Sequence, residues 1–178
     1  MHNNSIGLGS PSSSINFYIA NRPPIDDYPM MNDLHSLAMG ELAHIVKHTS
    51  NHWRKVFNVY AKLLFDWHHL QNRKNLPATW QSYRDLELFQ SHSQEALLFS
   101  SPQLGKDKTV IHIIAGKTYA AHLDLPPLNW LNPYFAVNTE YRLIVAPYPD
   151  YRQLSNERIA CLIELMTATP AVKFTKPE

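Results

Sequence analysis

The first half of the chain carries the hydrophobic spacing of helices. Across residues 53–67 apolar side chains recur three and four positions apart, which predicts an amphipathic helix that starts near Ser50 or Asn51. Residues 34–46 repeat this spacing less regularly and predict an earlier helix. A third helix is predicted to start at Thr79.

The second half is built of short β-rich runs. Residues 109–114 form a short β-branched run with apolar side chains on both faces, as in a strand that is covered on both sides. Residues 15–20 form another short β-rich run. The runs 134–137 and 142–146 predict a hairpin, and core spacing across 159–166 predicts a final helix. The alternation of strand, loop and helix predicts an α/β domain with three layers, α/β/α, around a mainly parallel central sheet.

The boundaries of the predicted domain follow from the same hydrophobic pattern. Residues 1–14 are small and polar without an apolar period, so a flexible N-terminal tail is predicted there. Residues 15–170 form the predicted single α/β domain, and residues 171–178 a C-terminal tail. A length of 178 residues fits one domain with a sizeable core.

Composition narrows the function classes. With 44% hydrophobic residues and 16 Lys and Arg against 15 Asp and Glu, the chain is neither disordered nor a binder of polyanions over its whole surface. Cys161 is the only cysteine, which excludes an intrachain disulfide and a cysteine-based zinc site. There is no apolar run of about 20 residues and no secretory pattern at the N-terminus. We therefore expect a cytoplasmic protein that has no membrane partner and no cofactor.

Three loops are candidates for ligand binding. In open parallel sheets, ligands bind beyond the carboxyl ends of the strands. The loops that follow the predicted strands span residues 21–28, 116–117 and 148–152. The ligand-binding candidates in them are Asn21, Arg22, Tyr28, Gly116, Lys117, Tyr148, Asp150, Tyr151 and Arg152.

The last two loops suit recognition of a flat anionic ligand. Residues 147–153 hold two phenols, a carboxylate and a guanidinium between stiffening prolines, which fits a planar heterocycle or a phosphate. The alternative is a structural loop whose Asp150 and Arg152 pair locally. Gly116 is expected to permit a tight turn, since the upstream glycine of a phosphate loop is absent, and Lys117 to contact an anion.

The first loop offers two adjacent carboxylates, Asp26 and Asp27, as catalytic candidates. One carboxylate could orient a water molecule or stabilise a cationic transition state. The alternative is turn chemistry, because Asp near proline commonly bonds its own backbone.

Basic residues and histidines are concentrated in residues 44–74. This stretch contains six Lys and Arg residues but a single carboxylate. Such an excess of positive charge is typical of a solvated helix face or of a face that contacts phosphates. The phosphate-contacting candidates are Lys47, Arg54 and Lys55. His44, His48 and His52 lie four apart, but the polar residues 49–51 interrupt the helix between them, so no metal site is predicted.

The C-terminal half resembles uracil-DNA glycosylase-like proteins. The resemblance rests on the strand 110–114 running into Ala115-Gly116-Lys117, and on a later strand running into Val145-Ala146-Pro147-Tyr148-Pro149-Asp150. It covers roughly residues 109–168, with a weaker match over 17–28. The chain also looks like a bacterial family of uncharacterised proteins.

The resemblance implies a uracil-DNA glycosylase-like fold and a pocket for a nucleobase, a nucleotide or nucleic acid. In that family the first loop positions water and stacks an aromatic ring on the flipped base, and a His-Pro-Ser loop steadies the leaving base. The first loop would correspond to Asn21, Arg22, Asp26 and Tyr28. The second would become Tyr148-Pro149-Asp150, with tyrosine in place of the histidine.

Two functions remain open from the sequence. The first is a glycosylase-like pocket with N-glycosidic hydrolysis as its reaction, and DNA or a nucleotide as its partner. The alternative is a non-catalytic module on the same scaffold that interacts with protein or nucleic acid. The replaced His-Pro-Ser loop favours the alternative, and the rigid polar loops favour the first. No protein partner is identified by the sequence.

Overall fold

The fold is α/β, with one mixed sheet and helices packed on it. The computed structural model describes residues 4–105 and 107–168, and the predicted 171–178 tail lies outside them. Within these residues the strands are β1 (Gly7–Gly9), β2 (Ile15–Tyr18), β3 (Leu34–His35), β4 (Glu95–Leu98), β5 (Ile111–Ala115), β6 (Asn129–Trp130), β7 (Ala136–Asn138) and β8 (Leu143–Ala146). The α-helices are α1 (Glu41–His48), α2 (Asn51–Leu70), α3 (Trp80–Leu86), α4 (Lys117–His122) and α5 (Asn156–Ala168). None of these helices is long and apolar enough to cross a membrane.

The eight strands lie in the order β3-β1-β4-β2-β5-β8-β7-β6. The four central strands, β4, β2, β5 and β8, are parallel to one another. The outer strands β1, β7 and β6 pair antiparallel with their inner neighbours. The antiparallel pairing of β7 with β8 confirms the predicted hairpin. Because the central strands are parallel, their carboxyl ends open at one edge of the sheet.

Alternate side chains of each central strand enter different cores. Phe17 and Ile113 point into the larger core, where Phe17 stacks on Tyr60 of α2 with ring centroids 4.0 Å apart. Their neighbours Tyr18 and Ile114 point into a second core on the opposite face, which α4 helps to cover. Both faces of the centre are thus apolar, which explains the continuous apolar runs in the sequence.

Helices α2 and α3 confirm the sequence pattern. Helix α2 begins at Asn51 with Ser50 at its N-cap position, and the 53–67 stripe is its buried face. Helix α3 begins after Thr79, whose side chain accepts a hydrogen bond from the Ser82 amide at 3.1 Å. Side-chain capping of this kind satisfies an otherwise unpaired backbone donor.

The predicted 34–46 helix is wrong in its first half. Residues 34–35 form β3, and the Leu37 amide donates to the carbonyl of Phe89 at 2.9 Å in an extended segment. Helix α1 begins only at Glu41, after Gly40 with a φ of 82°. Pairing with neighbouring strands therefore outweighs the helical spacing of Leu34 and Leu37.

The predicted flexible tail is wrong for residues 7–9, which form a strand inside the sheet. β1 lies between β3 and β4, and Leu8 is fully buried. A Cβ atom on Gly9 would lie 2.5 Å from the carbonyl oxygen of Glu95, so glycine permits this close approach. A strand of two glycines around one leucine carries almost no hydrophobic signal, which is why the pattern misses it. The ordered fold thus begins before residue 15.

Candidate functional site

A cleft of about 830 Å³ opens at the carboxyl ends of β2, β5 and β8. Residues that follow these strands line it: Asn21 after β2, Gly116 and Lys117 after β5, and Tyr148 after β8. The cleft therefore lies where the parallel topology predicts a ligand site. Its other walls come from α4, from the 133–134 segment before β7, and from Arg152, Gln153 and Arg158.

The lining of the cleft is basic. Lys117, Arg152 and Arg158 contribute positive charges and His122 an imidazole, whereas no Asp or Glu of the described chain lines the cleft. Arg158 is held in place, because its guanidinium lies 3.7 Å from the ring centroid of Tyr134 and its Nη1 donates to the carbonyl of Gln153 at 2.8 Å. A lining that carries positive charge and no carboxylate of the described residues favours an anionic ligand.

Three tyrosines, Tyr119, Tyr134 and Tyr148, add aromatic surface to the cleft. Tyr148 Oη lies 2.6 Å from His52 Nε2, and the two rings are nearly parallel with centroids 5.4 Å apart. Burial raises the pKa of Tyr148, and the nearby charge of Asp150 adds to that shift. Burial also lowers the pKa of His52. The protonated phenol therefore donates to a neutral imidazole, which holds the Tyr148 ring at the cleft wall.

His52 is a site residue that sequence reasoning missed. The sequence presents it as the last of three histidines spaced four apart, and its contact with Tyr148 joins positions 96 residues apart. His44 and His48 lie elsewhere, with rings 4.7 Å apart, and no metal-binding group of three such side chains exists among the described residues. Tyr119, His122, Tyr134 and Arg158 were missed as well, because they come from elements beyond the three loops.

The loop around Gly116 and Lys117 matches its prediction of a tight turn. Gly116 has a φ of 97°, a left-handed conformation that favours glycine, and its amide donates to the Ala146 carbonyl at 2.7 Å. This turn leaves Lys117 exposed at the cleft.

The predicted catalytic carboxylates lie outside the cleft. Asp26 Oδ2 is 2.7 Å from His44 Nε2, and both side chains are about half exposed. Asp27 lines a separate cavity of about 270 Å³ together with Tyr28 and Glu41. The chain turns at Asp26, where φ is 50°, and neither carboxylate lines the cleft.

Arg22 and Tyr28 serve the first loop itself. Arg22 Nη1 donates to the carbonyl oxygens of Met31 at 2.9 Å and Pro29 at 3.2 Å, which closes the loop. Tyr28 is buried, and its hydroxyl donates to Glu41 Oε2 at 2.5 Å. Of the first loop, only Asn21 reaches the cleft.

The last loop divides its residues between structure and site. Asp150 Oδ1 accepts hydrogen bonds from the amides of Arg152 and Gln153 at 2.9 and 2.8 Å. Burial raises the pKa of Asp150, but these bonds outweigh burial and hold it below its usual value. Tyr151 points to another surface, where its hydroxyl accepts from Asn58 Nδ2 at 2.9 Å. Asp150 thus shapes the turn that presents Arg152 to the cleft.

The predicted phosphate-contacting residues are not cleft residues. Lys47 and Arg54 are exposed on α1 and α2, and neither lines the cleft. Lys55 is near enough for its charge to lower the pKa of Asp150, after the larger effects of burial and hydrogen bonding. Of the three, Lys55 alone is shown to act on the electrostatics of a loop at the cleft.

Comparison with known proteins places the chain in a family. No curated protein and no solved structure matches it significantly. Residues 6–167 match one family profile, described as a family of unknown function (DUF6942), and this match spans nearly the whole chain. The chain therefore belongs to this family of unknown function.

Proposed function

We propose that the cleft binds a nucleobase together with its phosphate, as a nucleotide or within a DNA strand. The observation that carries this proposal is the lining: three cations, an imidazole and three tyrosines, with no carboxylate among the described residues. Tyrosine rings stack on any of the nucleobases, and a guanidinium group can bind two phosphate oxygens at once through parallel hydrogen bonds.

The resemblance to uracil-DNA glycosylase-like proteins supports the same site. In this proposal the domain is a three-layer α/β/α unit of that type, with β4, β2, β5 and β8 as its parallel centre and β3, β1, β7 and β6 as additions at the two edges. The two loops that carry the resemblance contribute Gly116 and Tyr148 to the lining of the cleft. We propose DNA as the source of the base and phosphate on this ground.

Recognition without base release is the activity that the cleft supports best. N-glycosidic hydrolysis needs a group that positions water, and Asp26 and Asp27 lie outside the cleft. The second candidate is hydrolysis, favoured by Tyr148, which lines the cleft at the position where the resemblance has a histidine that steadies the leaving base.

The test measures binding and base release in the same samples. Fluorescence anisotropy follows labelled single-stranded, duplex and uracil-containing DNA at low and moderate salt, with mononucleotides as competitors. We expect binding without release, weakened about tenfold in Lys117→Ala and in Arg152→Ala, the loss of about 1.4 kcal/mol expected for one charge-assisted contact.

Arg54→Ala is the matched control, because Arg54 is an exposed cation that does not line the cleft. It should bind as well as the wild type. An equal loss in Arg54→Ala would place binding on the general surface charge and overturn the cleft proposal. Released base would instead establish the hydrolytic candidate.

A further inference from the structure

A second cavity, of about 330 Å³, lies at the opposite end of the central strands. Its walls include Ile15 and Ile111, which begin β2 and β5, and Arg142, which directly precedes β8. It is therefore separated from the cleft by the length of the parallel strands. Most of its other wall residues are polar, and no Asp or Glu of the described chain lines it.

Arg142 is the cation that this cavity leaves without a counter-charge. Its Nη1 donates to the carbonyl of Lys108 at 3.0 Å, while its buried Nε has no acceptor among the described residues. No described carboxylate forms an ion pair with it, and burial lowers its pKa. Asp107, which precedes β5, uses its Oδ1 to accept bonds from the amide and hydroxyl of Thr109.

The conformation of Arg142 is also unusual for its residue type. Its φ of 49° is in the left-handed region, which costs conformational energy in any residue with a Cβ atom. Its amide donates to the Thr139 carbonyl, and its carbonyl accepts from the His112 amide at 3.0 Å. The hairpin turn and β5 therefore hold the backbone, so that the side chain leaves the strand at the cavity.

The other basic groups of the cavity are already engaged. Arg73 forms an ion pair with Glu87 at 2.7 Å. His68 Nε2 lies 3.2 Å from Tyr83 Oη, and the single proton of Tyr83 is donated to Glu95, so His68 is the donor in this pair. Burial lowers the pKa of His68 to about 4, which leaves it neutral at physiological pH. Arg142 is thus the available cation.

We propose that this cavity is a second binding site, for a small oxyanion that accepts hydrogen bonds from the Arg142 guanidinium. A partly buried guanidinium that has no counter-charge among the described residues gains both charge neutralisation and charge-assisted hydrogen bonds from such a ligand. Gln94 and Gln71 supply further amide donors in the wall. The volume is roughly ten times the 30 Å³ share of one water molecule, which suits a compact carboxylate or phosphate rather than a nucleic-acid strand.

Trp67 lines the cavity and serves as a reporter of occupancy. We would titrate the full chain with inorganic phosphate, acetate and chloride at constant ionic strength and follow tryptophan fluorescence, with Trp67→Phe to identify the signal. We expect a saturable change with phosphate or acetate and none with chloride. The phosphate and acetate arms distinguish the two oxyanion chemistries.

Arg142→Gln should weaken this binding at least tenfold, and Arg54→Ala should leave it unchanged. If Arg142→Gln fails to fold, as judged by circular dichroism, Arg142→Lys takes its place and should weaken binding as well, since it keeps the charge but loses the planar set of guanidinium donors. The affinity of the cleft for labelled DNA should not change in either variant. This readout separates the second site from the proposed function.

Two results would overturn the proposal. One is the absence of any saturable change at about 50 mM anion, far above a millimolar dissociation constant. The other is an equal loss of affinity in Arg54→Ala, which would show a general salt effect.

Discussion

The hydrogen bond between Tyr148 and His52 joins the loop after β8 to the first turn of α2. It determines how one aromatic wall of the cleft is presented, because both rings are held nearly parallel. In the proposed resemblance to uracil-DNA glycosylase-like proteins, this tyrosine takes the position of the histidine in the His-Pro-Ser loop. The ring of Tyr148 and its hydroxyl are therefore two separate candidates for contact with the proposed ligand.

We expect the ring to be the part that matters. Tyr148→Ala should weaken DNA binding about tenfold, since base stacking contributes on the order of 1–3 kcal/mol. Tyr148→Phe keeps the ring and should bind within about threefold of the wild type, a difference of under 1 kcal/mol. Anisotropy titrations of both variants measure this. Equal losses in the two would assign the role to the hydroxyl.

The lowered pKa of buried His112 leads us to expect that the stability of the fold depends on pH. Its Nδ1 accepts from Tyr18 Oη at 2.7 Å inside the second core. Burial lowers its pKa to about 4; the negative charge of Asp107 opposes this shift and the positive charge of Arg142 adds to it. Because the folded pKa lies below the usual 6.5, the stability from neutral His112 is present above pH 6.5 and is lost as the pH falls towards 4.

The measurement is denaturant unfolding of the wild type and His112→Gln between pH 7 and pH 4. Over this range the free energy of unfolding of the wild type should fall by up to about 3 kcal/mol more than that of the variant. His68 titrates in both proteins, so the difference isolates His112. Parallel pH curves for the two proteins would contradict the prediction.

At the scale of elements, β1 shows how a strand without a hydrophobic pattern is held in a sheet. Gly7 and Gly9 approach β4 so closely that a Cβ atom at either position would meet its backbone. Leu8, fully buried between them, is the only side chain that this strand contributes to the core. Close backbone pairing, rather than side-chain area, places the strand.

Gly9→Ala should therefore destabilise the fold by about 2–4 kcal/mol, from overpacking together with strain at a φ of 139°. Gly40→Ala is the control, because Gly40 also has a positive φ but its Cβ would meet nothing within 4 Å. It should cost only about 1 kcal/mol. Chemical denaturation measures both, and equal losses would show that backbone strain alone decides the effect.

At the scale of the whole molecule, the parallel centre gives the sheet two different ends. The carboxyl ends carry the large cleft with Lys117 and Arg152, and the amino ends carry the smaller cavity with Arg142. Basic groups thus line two separate cavities in a chain whose formal net charge is only +1. Binding at the cleft should depend on salt through its few cations rather than through the total charge.

The salt dependence of DNA binding tests this directly. If Lys117 contacts a phosphate, the slope of log affinity against log salt should fall by about 1 in Lys117→Ala. The slope for Arg54→Ala should match the wild type. Titrations at four or five salt concentrations give the slopes. An unchanged slope in Lys117→Ala would mean that this lysine meets no phosphate.

The sequence by itself determined the elements whose signal is local. The stripe of α2, the cap of α3, the buried run of β5 and the β7–β8 hairpin each depend on spacing within one segment, and all are observed. The same local signals identified the three loops after β2, β5 and β8, and five of their nine candidates line the cleft: Asn21, Gly116, Lys117, Tyr148 and Arg152.

Tertiary structure alone decided the rest. The direction of the chain after Asn21 depends on contacts of Arg22, Asp26 and Tyr28 with neighbouring segments, and these contacts remove the carboxylates from the cleft. The approach of His52 to Tyr148, the placement of β1 and the bond from Arg142 to the Lys108 carbonyl all join residues far apart in the sequence. Spacing along a chain reports which face a side chain occupies, but a partner from a distant segment is set only when the sheet and helices pack together.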